Sequence, residues 1–102
     1  MTCRAHCCAI DGLFDRRVAQ RDLKRYRRKG PSPSTRRLLS STRLAGIVGE
    51  TVLDIGGGIG AVAQELLDAG AARATLVEAS AAYLSAARDE VERRDTSARL
   101  QL

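Results

Sequence analysis

No stretch of this sequence stays apolar for the roughly 18–20 residues that a helix needs to cross a bilayer, so membrane insertion is not expected. The opening residues, MTCRAHCCAIDG, also lack the long apolar core of a secretory leader, which points to the cytoplasm. Aromatic residues are scarce: Phe14, Tyr26 and Tyr83 are the whole set, and tryptophan is absent. Within the basic run LKRYRRKG (Leu23–Gly30) Tyr26 stands alone, so the stacking platform of a single-strand nucleic-acid binder is missing. Three cysteines in a cytoplasmic chain read as free thiols and not as a disulfide framework. There are no internal repeats, and 102 residues leave room for one small domain.

Charge is unevenly spread. Residues 1–50 carry a net +8 and residues 51–102 a net −3, within an overall +5. The excess lies mostly in Arg16–Arg43. Such a run could meet nucleic acid, but it is more often the solvated face of a helix, and no reading module accompanies it. A basic nucleic-acid-binding module is therefore an alternative that is not favoured.

Along the chain, residues 1–11 show no periodicity and read as a flexible, Cys-rich terminus. Cys3, His6, Cys7 and Cys8 place four soft ligands close together. Adjacent cysteines converge poorly on one tetrahedral ion and paired C-x₂-C spacings are missing, so no metal site is expected. Residues 12–48 read as two helices. The first, Gly12–Lys29, has an apolar stripe of Ala19, Leu23 and Tyr26, with Phe14 and Val18 on an adjoining face. Gly30-Pro31-Ser32-Pro33 breaks the chain, and Ser32 or Ser34 caps a second helix lined by Leu38, Leu39, Thr42 and Ala45 or Gly46.

From residue 49 the pattern changes to strand, helix, strand, helix. Thr51–Ile55 reads as a buried strand with Asp54 near its end, followed by Gly56-Gly57-Gly58 and then Gly60, which opens a helix. A strand, a glycine turn and a helix N-terminus form a nucleotide-type cradle. A second apolar run, Ala74–Val77, ends in Glu78, 18 residues past Gly60. An acid about 20 residues on is where a ribose diol is held in such folds, because one bidentate carboxylate suits two vicinal hydroxyls. The competing role for this acid is to cap the next helix, which Ser80 could do alone. That helix runs to about Arg94 with Leu84, Ala87 and Val91 facing inward, and Arg99–Leu102 reads as the start of a third strand.

Two ligand classes suit the glycines. Gly56, Gly58 and Ala61 fit the dinucleotide form G-x-G-x-x-G/A. Asp54, Gly56, Gly58 and Gly60 also fit acid-x-Gly-x-Gly-x-Gly. A carboxylate beside a pyrophosphate would repel it, whereas a sulfonium ligand carrying an ammonium group favours one. Asp54 thus favours the sulfonium ligand, with an NAD(P)-type module as the alternative.

DIGGGIG (Asp54–Gly60), followed by LVEAS (Leu76–Ser80) and AAYLSAARDEVERR, resembles the opening motifs of the class I S-adenosylmethionine-dependent methyltransferases. The segment Phe14–Pro31 further resembles the leader of bacterial enzymes similar to magnesium-protoporphyrin O-methyltransferases. The resemblance implies an α/β, Rossmann-like parallel sheet preceded by two N-terminal helices, with S-adenosyl-L-methionine as cofactor. It also implies that Asp54 accepts from the cofactor's amino group, directly or through water. Gly56, Gly57, Gly58 and Gly60 would let the loop lie under the cofactor, Glu78 would hold the ribose, and Ala79 and Ser80 would lie beside the adenine. The implied reaction is transfer of a methyl group to an acceptor, expected to be a small molecule.

That family's sheet has seven strands with strand 1 central. Here only two strands and the beginning of a third are expected, so the sheet reads as truncated and the chain as an N-terminal portion. The residues that touch the acceptor would then lie beyond Leu102, and no catalytic residue is assigned.

Overall fold

The computed structural model describes Gly12 and residues 15–102; the Cys3, His6, Cys7 and Cys8 cluster and Phe14 lie outside the described residues. Helix α1 spans Arg16–Lys29. Asp15 caps it, its Oδ1 accepting from Val18 N–H at 3.0 Å, and Gly12, the expected start of the helix, is helical too. Gly30, at φ +74°, closes the helix by donating to Tyr26 O at 2.8 Å, a conformation that costs glycine nothing. Ser32 caps α2 (Pro33–Ala45) by accepting from Thr35 N–H, with Pro33 at the first helical position.

The stripe expected on α2 is narrower than its sequence pattern. Leu39 is buried, but Leu38 is 52 % exposed and Ala45 is exposed. Thr42 spends its hydroxyl on Leu38 O at 2.8 Å. A helix packed along one side only has room to bury one row of side chains.

Three strands follow: β1 (Thr51–Ile55), β2 (Arg73–Val77) and β3 (Leu100–Gln101). They pair in parallel in the order β1-β2-β3, with Leu53 opposite Thr75, Ile55 opposite Val77 and Ala74 opposite Leu100. Helix α3 (Ala61–Asp68) links β1 to β2, and α4 (Ala81–Arg94) links β2 to β3. Two crossovers stepping in the same direction put both helices on one face of the sheet. There Ala63, Leu66 and Leu67 of α3 meet Ala74 and Leu76 of β2 and Ala87 and Val91 of α4. The fold is the expected α/β, Rossmann-like one.

The strand β1 is not buried, contrary to the sequence expectation. Leu53 is 63 % and Ile55 74 % exposed. β1 is an edge strand among the described residues, and its odd-numbered residues point to the face that none of the described helices covers.

A second core joins α1 to α4 through Ala19, Leu23 and Tyr26 against Ile59, Tyr83 and Ala86. Tyr83 takes an inward place, while Leu84 is only half-buried. Glu90 on α4, 0 % exposed, anchors the same seam. It accepts from Arg27 of α1 at 3.3 Å and from Arg93 one turn on. Burial alone would raise its pKa, but the hydrogen bonds from Arg93 and Arg27 outweigh this and leave it below its ordinary value.

Candidate functional site

The glycine loop leaves β1 with its backbone still in the sheet's register: Gly56 N–H donates to Val77 O at 2.7 Å. Gly57 is pressed onto the layer beneath. A Cβ at this position would stand 2.3 Å from both Asp54 Oδ2 and Leu76 Cδ1. Gly60 stands at the N-terminus of α3 in the left-handed region and offers no side chain to cap it. Asp54 lies beside this helix end, and the backbone N–H of Ala63 in the first turn of α3 acts to lower its carboxyl pKa.

Asp54 lies partly under the loop, and its Oδ2 is buried without a hydrogen-bond partner among the described residues. Burial raises its carboxyl group above the usual range, the backbone N–H of Ala63 opposes this, and the charge of Glu78 adds to the rise.

Glu78 follows directly on β2 and faces the loop. Its Oε1 accepts from Gly58 N–H at 2.9 Å and its Oε2 from Ser80 N–H at 2.8 Å. Each oxygen keeps further lone-pair capacity, so this held carboxylate can still accept from a diol. Ser80 itself is fully buried, and its Oγ accepts from Tyr83 N–H to cap α4. Thus Ser80 positions Glu78 and does not line the cleft, whereas Ala79 does. Ile55, Gly56, Val77, Glu78 and Ala79 bound this cleft of about 530 Å³.

Tyr83 lines that cleft and, together with Gly56 and Gly58, a second one. This second space, of about 320 Å³, lies between Gly56–Gly58 and the N-terminal helices, with Asp22, Arg25 and Tyr26 on α1 and Thr35 on α2. Tyr83 OH donates to Asp22 Oδ2. Burial first, and this hydrogen bond second, push the Tyr83 hydroxyl up to about 12. Tyr26 OH donates to Glu65 Oε1 at 2.8 Å, and the Arg94 guanidinium lies 5.0 Å from its ring centroid. Burial, and then the Glu65 bond, raise the Tyr26 pKa strongly.

Asp54, Gly56, Gly57, Gly58, Gly60, Glu78 and Ala79 therefore gather at the carboxyl ends of β1 and β2. Tyr83, Asp22 and Arg25 are among the cleft residues that sequence reasoning missed. A signal for Tyr83 existed: it precedes Ala87 by one helical turn and Val91 by two, on the inward stripe. Among the described residues no group of three His, Cys, Asp or Glu side chains is arranged to hold a metal ion. No helix among them is long and apolar enough to cross a membrane.

No protein-family model matches the sequence, and no curated protein matches it. Among solved structures, the chain is similar to a provisionally assigned S-adenosyl-L-methionine-dependent methyltransferase from Methanococcus maripaludis. The TM-score is 0.69 at 18 % identity, over 86 % of this chain. The likeness establishes the fold. The chain spans 40 % of the length of that protein.

Proposed function

We propose that this chain carries the S-adenosyl-L-methionine-binding part of a methyltransferase. The position of Asp54 carries the reading. A pyrophosphate would seat itself on the free N–H groups at the start of α3. Here a partly buried carboxyl group already lies directly beneath the glycine loop, against Gly57, so its negative charge would oppose a dinucleotide and favour a cationic ligand.

The residues present fit the cofactor. Glu78, fixed by two backbone donors, offers its remaining lone pairs to vicinal ribose hydroxyls. Gly56 and Gly58, both at positive φ, keep the backbone bare of side chains where the ligand would lie. Ala79 and the apolar rim of Ile55 and Val77 suit a planar base. Asp54 supplies negative charge near the ammonium group.

When bound, the cofactor supplies an electrophilic methyl group. The contribution of this chain is to bind and orient that group, which is the larger part of catalysis in a direct displacement. The fold likeness to a provisionally assigned methyltransferase supports the reading.

Calorimetric titration of the 102-residue chain with S-adenosylhomocysteine and with NAD tests it. The expected result is measurable binding of the homocysteine compound and weaker or no binding of NAD. Tighter NAD binding would overturn the assignment.

A further inference from the structure

Helix α1 carries Arg21, Lys24, Arg25, Arg28 and Lys29 around one groove of about 530 Å³, with no acidic residue among the described residues that line it. All five side chains are exposed. Arg21 is paired with Asp22, at 3.8 Å, but the other four make no ion pair with any described residue. Arg27, by contrast, points the other way and is committed to Glu90. The apolar residues of the helix face the seam with α4, where Ala19, Leu23 and Tyr26 are buried and Val18 is partly buried against them. Four cations with no ion-pair partner among the described residues share one surface and repel one another, and a polyanion relieves that repulsion.

We propose that this face of α1 docks the phosphodiester backbone of a nucleic acid. Repeating phosphates match a row of cations spaced by helical turns, and long flexible Lys and Arg side chains reach them without a preformed pocket. A bilayer surface fits worse. An interfacial helix must present apolar side chains to the lipid beside its cations, and those of α1 are spent inside the protein. Arg25 belongs both to this groove and to the cleft against Gly56–Gly58. A docked strand therefore runs alongside the glycine loop. Resting on the methyltransferase reading, this makes a nucleic acid the methyl acceptor. By its sequence pattern alone this run reads as a solvated helix face. The unpaired cations and their junction with the cleft through Arg25 appear only once α1 is docked.

Fluorescence anisotropy with labelled single-stranded RNA and with duplex DNA tests the docking. With four phosphate contacts, affinity for the duplex falls on the order of 100-fold between 50 and 200 mM salt. Replacing Lys24, Arg28 and Lys29 together by Gln leaves about one contact, and the same salt step then costs only about threefold. Removing an equal charge elsewhere, with Arg37, Arg73 and Arg88 changed to Gln, leaves the slope near that of the original chain. The two nucleic acids show which strand form is preferred. No binding at 50 mM salt, equal loss in both triple variants, or tighter binding to anionic vesicles of phosphatidylserine overturns the proposal. Binding of S-adenosylhomocysteine is measured beside it and stays unchanged in the Lys24, Arg28, Lys29 variant. If that ligand never binds while the salt-dependent docking holds, the methyltransferase reading fails and the docking surface stands.

Discussion

Gly58 N–H donates to Glu78 Oε1 at 2.9 Å, tying the loop after β1 to the acid after β2. The same carboxylate holds Ser80 N–H through its other oxygen. One side chain thus fixes the loop, the start of α4 and the wall of the cleft at once.

Replacing Glu78 with Ala is expected to weaken S-adenosylhomocysteine binding by about 1.5–3 kcal/mol, roughly ten- to hundredfold. Glu78→Gln should be nearly as damaging. An amide can accept from Gly58 N–H with its oxygen, but its NH₂ then faces the donor of Ser80. Calorimetry on both variants checks this, and full affinity in either one removes the diol role from Glu78.

Asp54 should separate binding from stability. Its carboxyl group is raised above the ordinary value, so the ionised form costs the fold stability at neutral pH. Asp54→Asn removes that charge and keeps a side chain of the same shape beneath Gly57. The melting temperature is therefore expected to hold or rise, while ligand affinity drops by about tenfold or more. A lower melting temperature with unchanged affinity would make Asp54 purely structural.

The glycines differ in what they tolerate. Gly57→Ala drives a methyl group into Asp54 and Leu76, with an expected loss of about 1–3 kcal/mol. Gly56→Ala meets nothing within 4 Å and carries only the strain of φ +71°, about 1 kcal/mol. Thermal melting of the two variants should rank them in that order.

Glu90 predicts an acid limb. Its folded pKa lies below the ordinary carboxylate value, so its contribution is present above that value and is lost as pH falls through the folded one. Because Arg27 and Arg93 are partly exposed, Glu90→Gln should cost about 1–2 kcal/mol at neutral pH. The gap between variant and parent should narrow below about pH 4. A gap independent of pH in melting curves would mean that packing, not charge, is what Glu90 contributes.

The sheet face that no described helix covers has its own consequence. Leu53, Ile55 and Val77 are 63 %, 74 % and 49 % exposed and sit together on two paired strands. A contiguous apolar patch beside an open strand edge favours self-association. The 102-residue chain is expected to form concentration-dependent aggregates in light scattering, and changing Leu53 and Ile55 to Lys should shift it towards monomer.

Much of this was legible in the sequence because it depends on neighbours along the chain. The alternation of strand and helix, the glycine turn, the Ser32 cap and the place of Glu78 at the end of β2 follow from local backbone preferences and short spacings. Ser80 shows where that reading stops: its sequence position suits a base-contacting residue, yet capping α4 buries its hydroxyl. The exposure of β1 depended on which sheet face received helices. The inward choice of Tyr83 over Leu84 depended on α1 packing against α4. That same packing brings Asp22 and Arg25 beside glycines far along the chain. Backbone propensity acts over a few residues and is written in them, whereas contacts between helices depend on how separate elements cross. Only the tertiary structure decides that.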